Sequence, residues 1–239
     1  MRNTTTVAGR ELGAYFLSPI AYAVMAIFLF ATGMAFGLGT FANGKEASLR
    51  FLFDSWILLI LVFVLPMLTM RLIADESRTG TIETLMTAPV TDTEIVLGKF
   101  LGAFGFFFIL LVAMLVYPVL LSMYGPVDPK LLACHGVGLL LVGALYIAVG
   151  LFFSACTKHQ VVAVLTSFAL LALMTFASHA LARQVETGWI RVFLQQISVA
   201  SHFYDFVRGM LDLNHIVFFL STTALFLFLT VKRLEMRRW

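Results

Sequence analysis

A short segment near the C-terminus holds the residues whose types and spacing come closest to a chemical site. Four polar residues recur at spacings of three, three and four, which would place them on one stripe of a helix. They are His202, Asp205, Arg208 and Asp212. A histidine and a carboxylate three residues apart are too few ligands for a metal site. If the chain spans a membrane, the stripe indicates a gate at the outer side or a contact with a partner. Alternatively, it indicates an amphipathic helix that rests on the membrane surface.

A glycine-containing run further upstream approaches a phosphate-binding loop but departs from it where the chemistry is decided. Gly44 and Lys45 stand in the required order, yet Glu46 occupies the place where a Ser or Thr hydroxyl must reach Mg²⁺. No strand pattern precedes the run, as such a loop requires. The sequence therefore predicts no nucleotide site and no cofactor in this chain.

The apolar runs also lack the residues that ion-coupled transport or intramembrane hydrolysis would require. The long apolar runs of the chain contain no Asp, Glu, Lys or Arg, and apart from Cys and Tyr their titratable side chains are His135 and His179. A proton-driven or ion-driven carrier normally uses a buried carboxylate or a chain of charges. A hydrolase needs a nucleophile with its base. Both classes are disfavoured, and we expect the chain not to be an enzyme.

Composition determines the elements that must position these residues. Of 239 residues, 61% are hydrophobic and 12% are charged, whereas a soluble domain carries about 25% charge. The sixteen Lys and Arg are scattered in ones and twos, which is typical of membrane flanks and not of a nucleic-acid surface. Cys134 and Cys156 lie on one predicted helix about 33 Å apart, too far for an intrachain disulfide.

Six apolar runs predict an all-α membrane protein with six transmembrane helices in a single domain, 1–239. The predicted spans are about 19–41, 55–73, 98–123, 131–155, 161–181 and 215–232. An even number of spans leaves both termini on one side of the membrane. Ten of the sixteen Lys and Arg lie on that side, four of them in the tail after residue 231. The positive-inside rule therefore places both termini in the cytoplasm.

Two segments outside the spans are amphipathic. Residues 1–18 carry apolar side chains near helical spacing, with Arg10 and Glu11 between them, which predicts a helix in the cytoplasmic interface. Residues 183–214 lie on the outer side and include Trp189 and Phe193 at a spacing of four. This outer segment can dip into the outer leaflet, cap a dimer or contact an outer partner.

The link between spans two and three, residues 74–97, carries its own helix signals. Thr91 and Glu94 form a capping box, which predicts a helix that starts near Asp92 and runs into the third span. Upstream, Gly80–Met86 is long enough for about two helical turns, and a proline follows as a stop. A short helix parallel to the membrane offers a surface that a cytoplasmic partner can bind.

The order of signals in this link resembles the permease of the ABC-2 family of ATP-driven exporters. Acidic residues precede Gly-Thr-Ile-Glu-x-Leu from Gly80, then come Pro-Val-Thr from Pro89, an acidic helix start, and Gly98-Lys99 before a span. The resemblance covers the whole chain and is closest to small bacterial permeases of the gliding-motility and copper-centre-maturation type, partly through residues 201–212. It implies an interfacial N-terminal helix, a cytoplasmic coupling helix between spans two and three, and an outer re-entrant segment between spans five and six.

The resemblance also implies partners. The link would dock on a separate nucleotide-binding ATPase subunit, which binds ATP and Mg. By position, the docking candidates are Glu76, Arg78, Gly80, Thr81, Glu83, Leu85, Pro89 and Lys99. The resemblance implies that the chain lies in the bacterial inner membrane and contacts lipid there. It also implies a second permease copy or a related chain as a partner. No nucleic acid is expected as a partner. The candidates for an outer gate, or for contact with a periplasmic or auxiliary membrane partner, are Trp189, Phe193, His202, Asp205, Arg208 and Asp212.

Three functions stay open on these grounds. The first is the export of a lipid, a glycan or another amphipathic substrate, driven by the ATPase of a partner subunit. The second is a mechanical transmitter that passes ATP-driven conformational change to outer partners without moving cargo. The third is a carrier or channel that works without ATP.

Overall fold

The computed structural model describes residues 2–41, 52–80, 90–123, 128–178, 180–181 and 188–236, and in these ranges the chain is helical apart from turns. Its first helices are α1 (Arg2–Leu17), α2 (Pro19–Phe41), α3 (Ile57–Thr69), α4 (Ala74–Thr79) and α5 (Asp92–Met114). The later ones are α6 (Val116–Ser122), α7 (Pro129–Cys156), α8 (Gln160–Ala172), α9 (Gly188–Ile197), α10 (Val199–Val207) and α11 (Leu213–Glu235). π-helical turns over Leu52–Trp56 and Leu173–Ala177 precede α3 and follow α8.

Six helical stretches are long and apolar enough to cross a membrane. They are Pro19–Leu38, Ile57–Thr79, Asp92–Ser122, Pro129–Cys156, Gln160–Ala177 and Leu213–Glu235. This confirms the predicted all-α membrane architecture with six spans. The end of the bundle that carries α1, α4 and the last turn of α11 is called the terminal face below. The other end, which carries α9 and α10, is called the opposite face.

Polar side chains cap the starts of α5 and α7. The predicted capping box is present: the Thr91 hydroxyl accepts from the Glu94 amide, and the Glu94 carboxylate accepts from the Thr91 amide. The Asp128 carboxylate caps α7 by accepting from the Lys130 amide at 2.9 Å. These caps satisfy amides that the helices leave unpaired, and each starts a helix at the edge of an apolar run.

The central helix of the bundle is α7. Residues 145–151 are all buried, which requires neighbours on every side of the helix. These neighbours are α3, α5, α8, α10 and α11. Cys134 and Cys156 lie near opposite ends of this one helix and are both free thiols, as their spacing predicted.

Two tyrosine hydroxyls in the spans bond to other helical segments of the bundle. The Tyr117 hydroxyl donates to the carbonyl oxygen of Leu29 at 2.9 Å and lies 3.2 Å from the Thr32 hydroxyl. Tyr146 on α7 shares a 2.6 Å hydrogen bond with Thr175. Hydroxyls that bond between helices fix how α2 meets α6 and how α7 meets the turn after α8, because a hydrocarbon surrounding offers no other partner.

Two adjacent phenylalanines on α5 provide a matched test of this packing. Phe107 is 0% exposed and packs against α7, whereas Phe108 is 50% exposed on the outside of the bundle. Phe107→Ala should destabilise the fold by roughly 2–4 kcal/mol, because it leaves a cavity that lipid cannot fill. Phe108→Ala should change stability by less than about 1 kcal/mol, because lipid replaces the lost contacts. Thermal unfolding in detergent measures both, and equal losses would contradict the packing described.

Candidate functional site at the terminal face

The short helix α4 forms the end of the second spanning stretch, Ile57–Thr79, and the link to the third span continues from it. Its sequence places Asp75 and Glu76 in the first turn and Arg78 in the last, which suits the helix dipole at both ends. Gly80 ends it with a φ of 74°, a left-handed conformation that glycine adopts without strain. Side chains from four other helices reach this element. We call α4 with these contacts the α4 hub: Glu11, Asp75, Glu76, Lys99, Ser154 and Gln160.

The start of α4 is held by a single hydroxyl from the central helix. The Ser154 hydroxyl accepts hydrogen bonds from the amides of Ile73 and Ala74, at 3.1 and 3.0 Å. It also donates to the carbonyl oxygen of Met70 at 3.0 Å. These groups lie where the chain leaves the regular helix α3, so they lack partners in that helix. Ser154 therefore supplies from α7 the cap that local sequence does not supply.

A buried cation joins α4 to the third span and to the N-terminal helix. The Lys99 side chain is 1% exposed, and its ammonium nitrogen lies 2.7 Å from a Glu76 oxygen and 2.8 Å from a Glu11 oxygen. The Arg10 guanidinium is 3.7 Å from the same Glu76 oxygen and 3.5 Å from Glu11. Two cations and two carboxylates thus form a network with no net charge. A buried ammonium group requires such compensation, because its desolvation costs several kcal/mol.

The N-terminal helix lies directly along α5 and runs in the same direction. Gly98 faces Val7, and Gly102 faces Glu11, so closely that a Cβ at either glycine would lie 2.7 Å from the facing side chain. These two glycines, one helical turn apart, are therefore used for packing, and their partner is α1. This close approach is what brings Glu11 within reach of Lys99.

Tyr15 fastens the far end of α1 to the second span. Its hydroxyl donates to the carbonyl oxygen of Leu68 at 3.1 Å. Burial raises the pKa of the Tyr15 phenol, and the nearby Glu11 carboxylate raises it further. The hydroxyl therefore remains protonated and keeps its role as a donor.

Asp75 connects α4 to the fifth span. Its carboxylate accepts a hydrogen bond from the side-chain amide nitrogen of Gln160 at 2.7 Å, where α8 begins. It also pairs with Arg78 at 3.1 Å on the exposed side of α4. The four connections of α4, to α1, α5, α7 and α8, make it a rigid junction at the point where the link leaves the bundle.

A polar cavity of about 390 Å³ adjoins the α4 hub. Its walls include Arg10, Glu11, Arg71, Asp75, Glu76 and Lys99. Arg71 donates to the Ser18 hydroxyl at 2.6 Å. The second carboxylate oxygen of Glu76 is buried and has no hydrogen-bond partner among the described residues. The cavity can therefore take a water or a donor group from another segment.

The structure brings together two of the residues that the sequence singled out for this site. Glu76 and Lys99 are bonded to each other, Arg78 is exposed on α4, and Gly80 ends that helix. The remaining four lie outside the described residues: Thr81, Glu83, Leu85 and Pro89. The helix predicted from Gly80 to Met86 also lies outside them, apart from its first residue.

Glu11, Ser154 and Gln160 were not identified from the sequence as members of this site. A lysine inside an apolar helix requires a counter-charge, and Glu11 on an amphipathic helix was an available one. Ser154 carries no comparable signal, because a lone serine in an apolar helix usually bonds back to its own backbone.

At the opposite face the structure separates the residues predicted for an outer gate or a partner contact. Trp189 and Phe193 are exposed on α9, and Arg208 is exposed at the end of α10. Asp212 caps α11 by accepting from the Asn214 amide at 3.0 Å. His202, in contrast, is buried.

The predicted single stripe from His202 to Asp212 is wrong. The helix α10 ends at Val207, and Gly209 turns the chain with a φ of 79°. A second helix then begins at Leu213, so the spacing counted along one helix does not apply. His202 and Asp205 do share α10, and both contact α11 through His215, a residue outside the predicted stripe.

Within the described ranges no three His, Cys, Asp or Glu side chains are placed to hold a metal ion. A comparison with protein families matches residues 40–231 to the model described as ABC-2 family transporter protein. No curated protein matches the chain. The matched range includes α4, α5 and all of α7, and it leaves out α1, which supplies Arg10 and Glu11 to the α4 hub.

Lys99 is the residue whose removal should damage the site most. Lys99→Met leaves the Glu11 and Glu76 carboxylates buried near each other without their shared cation, which should cost about 3–5 kcal/mol. Arg78→Met breaks an ion pair whose arginine is 63% exposed, and should cost less than about 1 kcal/mol. Thermal unfolding in detergent compares the two. Adding Glu11→Gln to Lys99→Met should restore part of the loss, and a loss unchanged by that second substitution would contradict the network.

Proposed function

Because the chain belongs to the ABC-2 family of transporter proteins, we propose that it is the membrane-spanning permease subunit of an ATP-driven export complex. The family implies an ATP-binding partner subunit, and membrane domains of this kind are typically non-catalytic. In our proposal the partner binds ATP and Mg, and this chain carries a lipid, a glycan or another amphipathic substrate across a bacterial inner membrane. We further propose that the chain is related to small bacterial permeases of the gliding-motility and copper-centre-maturation type.

One observation carries the proposal, namely the α4 hub. We propose that the ATPase subunit docks on the link after Thr79, including Thr81, Glu83 and Leu85. A force on that link reaches α4 first. The ion pair of Glu76 with Lys99 passes it to α5, and the hydrogen bonds of Ser154 and Gln160 pass it to α7 and α8. Movement at one short segment would therefore shift three spans together, which a loose charged loop could not do.

The proposed orientation places the terminal face in the cytoplasm. The excess of Lys and Arg on the side of both termini supports this orientation. The α4 hub lies at the same face as α1, so the docking link and the termini share one compartment. A cytoplasmic ATPase could then reach the link without crossing the membrane.

A second permease copy is part of the proposal. The helices α2, α8 and α11 bury only a minor part of their apolar surface inside the chain. Those surfaces must face lipid or another apolar surface in the membrane. We propose that one of them meets a second copy or a related chain and that the substrate passes between the two.

Docking and transmission can be separated with two substitutions. Glu83→Lys reverses a charge in the proposed docking segment and should abolish co-purification with the ATPase subunit. Ser154→Ala should leave co-purification intact but lower ATP turnover of the complex roughly fivefold, the equivalent of about 1 kcal/mol, because α4 loses its hold on α7. Ser122→Ala, a serine at the opposite face, serves as the matched control. Retained binding in Glu83→Lys would refute docking at the link, and equal turnover in the two serine variants would refute transmission through α4.

Cysteine labelling tests the proposed orientation. In a background without the two native cysteines, Arg78→Cys and Lys130→Cys place one thiol at each face on exposed residues. A membrane-impermeant maleimide added to intact cells should label residue 130, and should label residue 78 only after permeabilisation. The reverse pattern would place the terminal face outside.

A further inference from the structure

A row of three titratable side chains joins α10 to the start of α11. A carboxylate oxygen of Asp205 lies 2.7 Å from Nε2 of His215. Nδ1 of His215 lies 2.6 Å from Nδ1 of His202, and Nε2 of His202 lies 3.0 Å from the carbonyl oxygen of Gln196. We call Asp205, His215 and His202 the proton relay. It begins at a carboxylate and ends at a backbone carbonyl, and neither of those can donate a proton when the carboxylate is ionised.

This arrangement determines where the protons lie. The Gln196 carbonyl only accepts, so His202 must carry its proton on Nε2. A neutral His202 then has a lone pair on Nδ1, and His215 must donate to it from its own Nδ1. The ionised Asp205 also only accepts, so His215 must carry a second proton on Nε2. All three gaps are bonded when the two rings together carry one excess proton, and the proton in the gap between the two Nδ1 atoms can belong to either ring.

The surroundings of His202 favour its neutral form. Its side chain is 7% exposed, and its ring stacks on Phe218 with 4.1 Å between the ring centres. Burial lowers the pKa of His202, and the adjacent His215 lowers it further, against opposing effects of the Gln196 carbonyl and of Asp205. The relay therefore holds its positive charge on the more exposed ring of His215, next to the carboxylate.

The position of His215 makes that charge depend on Asp205. His215 is in the first turn of α11, where the helix dipole is unfavourable to a cation. Within the proton relay, the Asp205 carboxylate is the group that compensates the positive charge of the His215 imidazolium ion. Charge on the ring and contact between α10 and α11 are thus linked.

Other titratable groups that pack on α10 are engaged elsewhere. From α7, the ring of His135 bonds to the Val207 carbonyl at 3.0 Å, and the Cys134 thiol lies 3.7 Å from the Gly209 carbonyl, both at the end of α10. From α9, the contact to the relay is the Gln196 backbone. The described side chains of the two π-helical turns include no titratable group. The charged residues of α5, namely Asp92, Glu94 and Lys99, lie at the terminal face.

We propose that the relay is a proton-binding site, in which one proton bound between Asp205, His215 and His202 holds α10 on the last span. Loss of the proton leaves two acceptors facing each other at one of the three gaps, and α10 loses its charged tie to α11. Binding of a second proton, on His202, places two N–H groups face to face, so the hydrogen bond between His202 and His215 is lost at low pH as well. The opposite face of the bundle therefore responds to the pH of its own compartment, independently of the ATPase proposed above.

The sign of the acid response follows from His202. Since its pKa in the folded chain is below the value near 6.5 of an unfolded histidine, the unfolded chain binds this proton more readily. The stability that neutral His202 contributes is present above about pH 6.5 and is lost as the pH falls below it.

Nitrogen-15 NMR of the histidine rings tests the proton positions in the full chain. With histidine-labelled protein in lipid nanodiscs at pH 7, His215 should be protonated on both nitrogens and His202 only on Nε2. Protection of residues 199–207 against amide hydrogen exchange, corrected for the pH dependence of the intrinsic exchange rate, should fall at both limits of the range pH 5 to 9, and each change should coincide with the titration of one relay ring. Two neutral rings at pH 7, or exchange in α10 that ignores both titrations, would overturn the proposal.

Asp205→Asn supplies the matched variant. Without the carboxylate His215 should lose its second proton at pH 7, and exchange in α10 should rise about tenfold, as expected for one lost charge-assisted hydrogen bond. His159→Gln, at an exposed histidine of the terminal face, should leave both readouts unchanged. An Asp205→Asn protein in which His215 stays doubly protonated would refute the relay, and the measurements on the unmodified chain hold even if that variant does not fold.

Discussion

A buried ammonium group constrains the terminal half of this structure. Lys99 lies where the apolar run of α5 begins and is buried there, so its charge must be compensated in place, because leaving it unpaired would cost several kcal/mol. Compensation requires Glu76 on α4 and Glu11 on α1 at the same time. One charge thereby joins both elements to α5. Because the link continues from the end of α4, the position of α4 also determines where the link starts.

The central helix α7 also holds α4 in place, through uncharged groups. It is buried along its middle, and at its end Ser154 satisfies the backbone of the segment between α3 and α4. Packing and hydrogen bonding therefore meet at the same short helix. This explains how a chain with few charges can build a rigid junction: polar groups of α4 bond to side chains from several other helices.

The two faces of the bundle use their charges differently. At the terminal face the charges are permanent, since the described network pairs lysine and arginine with carboxylates. At the opposite face the tie between α10 and α11 passes through two histidine rings and a carboxylate. A permanent network suits a junction that must transmit force. A titratable one suits a contact that responds to its surroundings.

The sequence by itself determined the elements that depend on local pattern. Runs of about 20 apolar residues required six spanning helices, the Thr91 and Glu94 pair placed the start of α5, and the motif in the link indicated the family. Only the tertiary structure decided which charges meet. Glu11 and Lys99 are 88 residues apart, and spacing along the chain carries no information about a contact made by two different helices. The same reason explains His202: its spacing to Asp212 suggested one polar stripe, but the chain turns at Gly209 and the histidine faces His215 instead.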